Sequence, residues 1–107
     1  MPDIFNDAIS FPVPTAIAGG GTITLTASDY SDNVTISSNT TIEIGAGVSD
    51  GQPFKLILVG TLGGGVVSFG SSIKAPGSVT VALGLTYVCE LTYIGGFWCL
   101  PTIPTGV

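Results

Sequence analysis

The sequence predicts an all-β protein, an antiparallel, jelly-roll-like β-sandwich of seven or eight short strands with an extended N-terminal arm. Three observations carry that expectation. β-Branched and aromatic residues recur in runs of three to eight, several with strict alternation of apolar and polar positions. Clusters of Gly, Asp, Asn, Ser and Pro separate those runs. No stretch has the 3.6-residue period of an amphipathic helix. At 107 residues there is room for one domain and one core. The expected boundaries are an arm over 1–21, a β-sandwich domain over 22–101 and a C-terminal tail over 102–107.

The arm carries Pro2, Pro12 and Pro14 and ends in Gly19-Gly20-Gly21. Its apolar residues Ile4, Phe5, Ile9, Phe11, Val13 and Ile17 suit two uses. They cover the domain's own sheet, or they dock on a neighbouring subunit or a larger particle. Thr22-Ile23-Thr24-Leu25-Thr26-Ala27 alternates cleanly, with Ile23, Leu25 and Ala27 on one face and threonines on the other. Asp29 to Asn33 reads as a turn, Val34-Thr35-Ile36 as a short strand, and Ser37-Ser38-Asn39 as a second turn. In Thr40 to Ile44, Ile42 and Ile44 face inward and Thr41 and Glu43 outward.

Phe54-Lys55-Leu56-Ile57-Leu58-Val59 is apolar at five of six positions, so it is expected to be a central strand buried on both faces. Thr61 to Gly65 has little to bury and reads as a mobile surface loop. Val66 to Phe69 and Ser78 to Ala82 resume strand. The last element is a hairpin, Thr86 to Tyr93 against Phe97 to Leu100, turned by Gly95-Gly96 and stopped by Pro101 and Pro104.

That hairpin decides the state of the two cysteines. A two-residue loop pairs Ile94 with Phe97, Tyr93 with Trp98 and Thr92 with Cys99. Cys89 then lies opposite Thr102, about 10 Å along the strand from Cys99 and on the opposite face. A disulfide needs Cα atoms within about 7 Å, so two free thiols are expected.

Only 8% of residues are charged, and Lys55 and Lys74 are the only basic ones, for a net charge of −5. Nucleic-acid binding lacks its cationic footprint, and an anionic membrane surface is disfavoured for the same reason. No apolar run approaches the roughly 20 residues of a spanning helix. The acidic start Met1-Pro2-Asp3 lacks a signal peptide's basic region, so folding is expected in the compartment of synthesis. So few charges predict an association surface and a homo-oligomer.

Without histidine, a Ser or Cys nucleophile has no imidazole to take its proton and no His-type metal site can be built. The seven carboxylates, Asp3, Asp7, Asp29, Asp32, Glu43, Asp50 and Glu90, could supply a glycosidase pair, but most sit in expected turns or on wet strand faces. Asp29-x-x-Asp32-Asn33 lacks the alternating ligands and closing Glu of a calcium loop. No enzyme activity, metal or cofactor is therefore expected. Tyr93 opposite Trp98 reads first as a hairpin plug. The functional alternative is a sugar-stacking platform formed with Tyr30 and Tyr87.

Asp50-Gly51-Gln52-Pro53-Phe54-Lys55-Leu56-Ile57-Leu58, then Val66-Val67-Ser68-Phe69, then Leu91-Thr92-Tyr93-Ile94-Gly95-Gly96-Phe97-Trp98 resemble a small β-domain of bacteriophage fibres and spikes. There a G-x-x-F-x-L-x-L strand, a V-x-F or V-x-W strand and a Y-x-G-G-x-W hairpin recur in this order. The likeness covers about residues 22 to 100, with Phe69 where tryptophan is usual. It implies a virion surface protein similar to the head-spike components of tailed phages and of gene transfer agents. Such a protein is a head spike, head fibre, decoration protein or tail-fibre tip, made in the bacterial cytoplasm. The resemblance further implies a homotrimer or homopentamer, contact with capsid, spike or fibre subunits, support of host attachment, and in some members a host surface polysaccharide as ligand.

Overall fold

A computed structural model describes residues 16–107. The arm residues Ile4, Phe5, Ile9, Phe11 and Val13 lie outside the described residues. Ten strands follow in order: β1 (Ala16–Ala18), β2 (Gly21–Leu25), β3 (Ser31–Ile36), β4 (Thr40–Ile44), β5 (Pro53–Gly60), β6 (Gly65–Phe69), β7 (Ile73–Lys74), β8 (Val79–Val81), β9 (Thr86–Ile94) and β10 (Phe97–Cys99), with one 3-10 turn at Ala27–Asp29. They form a six-stranded sheet in the order β1-β3-β5-β9-β10-β7 and a four-stranded sheet in the order β2-β4-β6-β8.

Both sheets are mixed, which corrects the antiparallel expectation. From β1 to β6 the chain alternates between the two sheets, and each return places the new strand parallel to the one two elements earlier. This winding lets each strand bury one face against the opposite sheet. The turns are unequal: Ala16 lies beside Asn33, and Asn33 beside Ile57. The later strands are laid on antiparallel, β9 against β5 and β8 against β6.

The inner faces share one core. Leu25, Ile42, Ile44, Val67, Val79 and Val81 of the smaller sheet meet Val34, Ile36, Phe54, Leu56, Leu58, Cys89 and Leu91 of the larger one. The alternation expected for β2 and β4 is present. β5 is central, as expected, but only one of its faces is fully buried. Phe54, Leu56 and Leu58 point inward, whereas Lys55 is exposed and Ile57 and Val59 are half-buried. Its second apolar row lies on the outer face of the larger sheet.

The turn after β2 is shorter than expected, so β3 begins at Ser31 and carries Asp32 inward to a buried position. Ala16–Ala18, within the expected arm, form what is among the described residues an edge strand, and Ile17 packs partly buried against the core. Thr61–Gly65 is a tight turn at the surface, with Gly64 buried and Leu62 and Gly63 exposed. Gly64 N–H donates to Thr61 C=O at 2.8 Å, and a side chain on Gly64 would strike the Val81 carbonyl. At the C-terminus, Val107 exchanges two 3.0 Å backbone hydrogen bonds with Thr86.

The hairpin register matches the expected pairs at Phe97, Trp98 and Cys99. Positive φ at both Gly95 and Gly96 fits the tight turn that follows the strands' twist. Cys89 points into the core and Cys99 is half-buried on the other face, and both thiols are free. Burial pushes the Cys89 thiol up to about 12.

Trp98 locks this end of the core. It is fully buried, packs edge-on to Phe54 at 5.7 Å and tilted on Tyr93 at 5.0 Å, and its Nε1–H donates to Gly45 C=O at 2.8 Å. Trp98→Ala should lower the unfolding free energy by about 3–5 kcal/mol in urea titrations, because the cavity lies where both sheets and the hairpin meet.

Candidate functional site

The outer face of the larger sheet carries the features from which a binding site can be built. β2 ends at Leu25, and the 3-10 turn closes with Tyr30 N–H reaching Ala27 C=O at 3.5 Å. Tyr30 itself takes a left-handed backbone, φ 63°, which costs a bulky L-residue about 1–2 kcal/mol. The surroundings hold it there. Its C=O accepts the Lys55 N–H at 2.8 Å, and Gln52 bridges the turn to the neighbouring loop, donating from Nε2 to Ala27 C=O and accepting Val48 N–H at Oε1.

This geometry sets a half-exposed phenol ring at the rim of an open groove of about 640 Å3. Ser31, Lys55 and Glu90 lie in one row across β3, β5 and β9, and Pro53 and Thr92 form the row below. The site therefore offers a cation, a carboxylate, two hydroxyls and an aromatic ring. Both basic residues of the chain, Lys55 and Lys74, are exposed on the larger sheet, and the Lys74 ammonium sits 4.2 Å from the centre of the Phe97 ring.

The four aromatic residues expected to form a stacking platform do not share a surface. Trp98 is fully buried and has no face for a ligand. Tyr87 is buried, with its hydroxyl accepting the Ala82 N–H at 3.1 Å and Gly106 against its ring. Tyr93 is half-buried beneath Gly47, where a Cβ would meet its ring. Only Tyr30 of the four lines the groove. Lys55 and Glu90 are far from Tyr30 in the chain and become its neighbours only through the pairing of β5 with β3 and with β9.

The carboxylates are dispersed. Asp3 and Asp7 lie outside the described residues, and the side chain of Asp29 is likewise not described. Glu90 is on the larger sheet's outer face and Glu43 belongs to the smaller sheet, while Asp50 accepts the Gly95 N–H at the hairpin turn. Among the described residues, no group of three or more His, Cys, Asp or Glu side chains is placed to hold a metal ion, and no helix is long and apolar enough to cross a membrane. Neither a family model, nor a curated protein, nor a solved structure matches the chain.

Glu43 has a structural task. It accepts hydrogen bonds from the Ser72 hydroxyl and N–H, and the same hydroxyl accepts the Ile44 N–H. These bonds hold its carboxyl below the ordinary value of 4.5. A carboxyl that titrates lower in the folded chain contributes its full stability above the unfolded value and loses it as pH falls through the folded one. Glu43→Gln should therefore be less stable than wild type at pH 7. That gap should narrow as denaturation is followed to pH values below 4.5.

Proposed function

We propose that the chain is a non-enzymatic structural subunit of a virion surface assembly, a head spike or fibre base that works as a homo-oligomer and supports host attachment on a phage-like particle. The observation that carries this reading is an uncharged, leucine-bearing end of the domain. The turn after β5 and the turn after β8 are joined there, Gly60 N–H to Leu85 C=O and Gly84 N–H to Gly60 C=O. They present Leu62, Leu83 and Leu85 to solvent at 79%, 62% and 36% exposure. Isolated exposed leucines are ordinary, but three on two adjoining turns without a charge form a surface suited to burial against another protein. The resemblance of the β5, β6 and hairpin motifs to phage fibre and spike domains gives that protein its setting. The jelly-roll-like topology expected from the short strands is antiparallel throughout, whereas β1 to β6 wind parallel.

Immunogold labelling of particles released by cells that encode the chain tests the reading. Gold is expected on the particle surface, and a folded Leu62→Ser/Leu83→Ser variant should be lost from it. Unlabelled particles, with all the chain left in the cell lysate, would overturn the proposal.

A second reading, a host-glycan-binding module, is favoured by the Tyr30 groove. A pyranose presents an apolar face to an aromatic ring and hydroxyls that both donate and accept, which matches Tyr30 flanked by Lys55, Glu90, Ser31 and Thr92. On a glycan array, Tyr30→Ala should abolish any signal the wild type gives, while Tyr87→Phe leaves it unchanged. A blank array for the wild type would remove this reading.

A further inference from the structure

The edges of the two sheets are unequally protected. β7 is two residues long and carries Lys74, β8 is three residues long and follows Pro76 and Gly77, and β1 is three residues long. Short strands, charges and prolines are the usual means of keeping an edge from pairing with another chain. β2 has none of them. It runs in unbroken five-residue register with β4, from Gly21 beside Thr40 to Leu25 beside Ile44. Among the described residues no strand lies on its other side. From Gly19 to Ser28 the chain has no charge and no proline.

The direction of its backbone groups follows from one bond. Gly45 N–H donates to Leu25 C=O at 2.9 Å, so Leu25 turns its peptide groups toward β4. By the two-residue period Ile23 does the same, and Thr22 and Thr24 turn theirs to the open edge. The side chains of Thr22 and Thr24 are exposed on the sheet's outer face, while Ile23 is half-buried on the inner one.

We infer that β2 is a self-pairing edge, and that a second copy of this chain adds its own β2 antiparallel across a twofold axis through Ile23. The identity of the occupant comes from the symmetry of the segment itself. Thr-Ile-Thr reads the same in both directions. Pairing about Ile23 sets Thr22 against Thr24 of the second copy, and Thr24 against its Thr22, as two hydrogen-bonded pairs that exchange four backbone bonds. Cross-strand threonine pairs are favourable on an exposed face, and Ile23 meets its own copy at the rim of the core. The result is one eight-stranded sheet across the dimer, and the contact closes on itself rather than propagating. It rests on the homo-oligomer part of the function proposed above, and it replaces the threefold or fivefold symmetry implied by the resemblance with a twofold contact.

Sedimentation equilibrium of the full chain over a range of concentrations tests the inference. The wild type is expected as a dimer. Thr22→Lys/Thr24→Lys faces lysine with lysine at both pairs and should weaken the dimer by at least about tenfold, with the circular dichroism spectrum unchanged. Thr22→Glu/Thr24→Lys faces opposite charges at the same two pairs, with the introduced lysine beside Glu43 of its own chain, and should restore association in a salt-dependent way. A wild type that stays monomeric overturns the inference together with the homo-oligomer reading. A trimer or pentamer untouched by the lysine pair overturns the twofold contact alone, and so does failure of the Glu/Lys variant to recover the dimer.

Discussion

The structure depends on β5 accepting a different kind of partner along each edge. β3 runs parallel to it from Ser31 beside Lys55 to Ile36 beside Gly60, and β9 runs antiparallel from Pro53 beside Thr92 to Val59 beside Thr86. One strand thus joins the wound N-terminal part of the chain to the hairpin that closes it. The constraint is steric as well as hydrogen-bonded. At the end of β5, a Cβ on Gly60 would lie 2.0 Å from the Ala82 carbonyl oxygen, so only glycine lets the approach to β9 pass this close. At its start, Phe54 meets Trp98, and the opposite sheet is held there through the indole bond to Gly45.

Local pairing was legible in the sequence because a two-residue glycine turn fixes register without help from the rest of the chain. Tyr93 opposite Trp98 and the separation of Cys89 from Cys99 both follow from it. The inward rows of β2 and β4 were legible for a similar reason, since alternation is a property of neighbouring residues. The parallel winding was not. Its pairings join residues in turns of unequal length, leaving no fixed period to detect, and an isolated short strand carries no mark of the direction of its neighbour. β5 misleads in the opposite sense. A run of apolar residues is what burial on both faces would require, yet the layering of the two sheets leaves Ile57 and Val59 only half-covered.

The candidate site shows the same division. Tyr30 was recognisable by type, but its left-handed backbone, and the bond from Lys55 that holds it, arise from the meeting of the 3-10 turn with β5. Aromatic side chains in a small β-domain are more valuable as core volume than as ligand surface. Trp98 and Tyr87 went to the core, because a chain of this size needs its largest apolar groups there. Of the three tyrosines, the exposed one is Tyr30, which lies between the 3-10 turn and β3 rather than within a strand.

The shortage of charge has a mechanical consequence. A protein with few ionic side chains cannot defend every edge and every end by repulsion, so the undefended places acquire meaning. The leucine-bearing turns and the β2 edge are two such places of different character. The turns offer apolar area without direction, which suits docking on a surface of any matching shape. The edge offers directed backbone groups with almost no apolar area, and it specifies register and orientation as a leucine cluster cannot. An assembly needs both kinds of contact if it is to be tight and also of defined symmetry. Winding the first strands parallel leaves β2, among the described residues, at one margin of the smaller sheet, while the turns after β5 and β8 meet through the backbone of Gly60, Gly84 and Leu85.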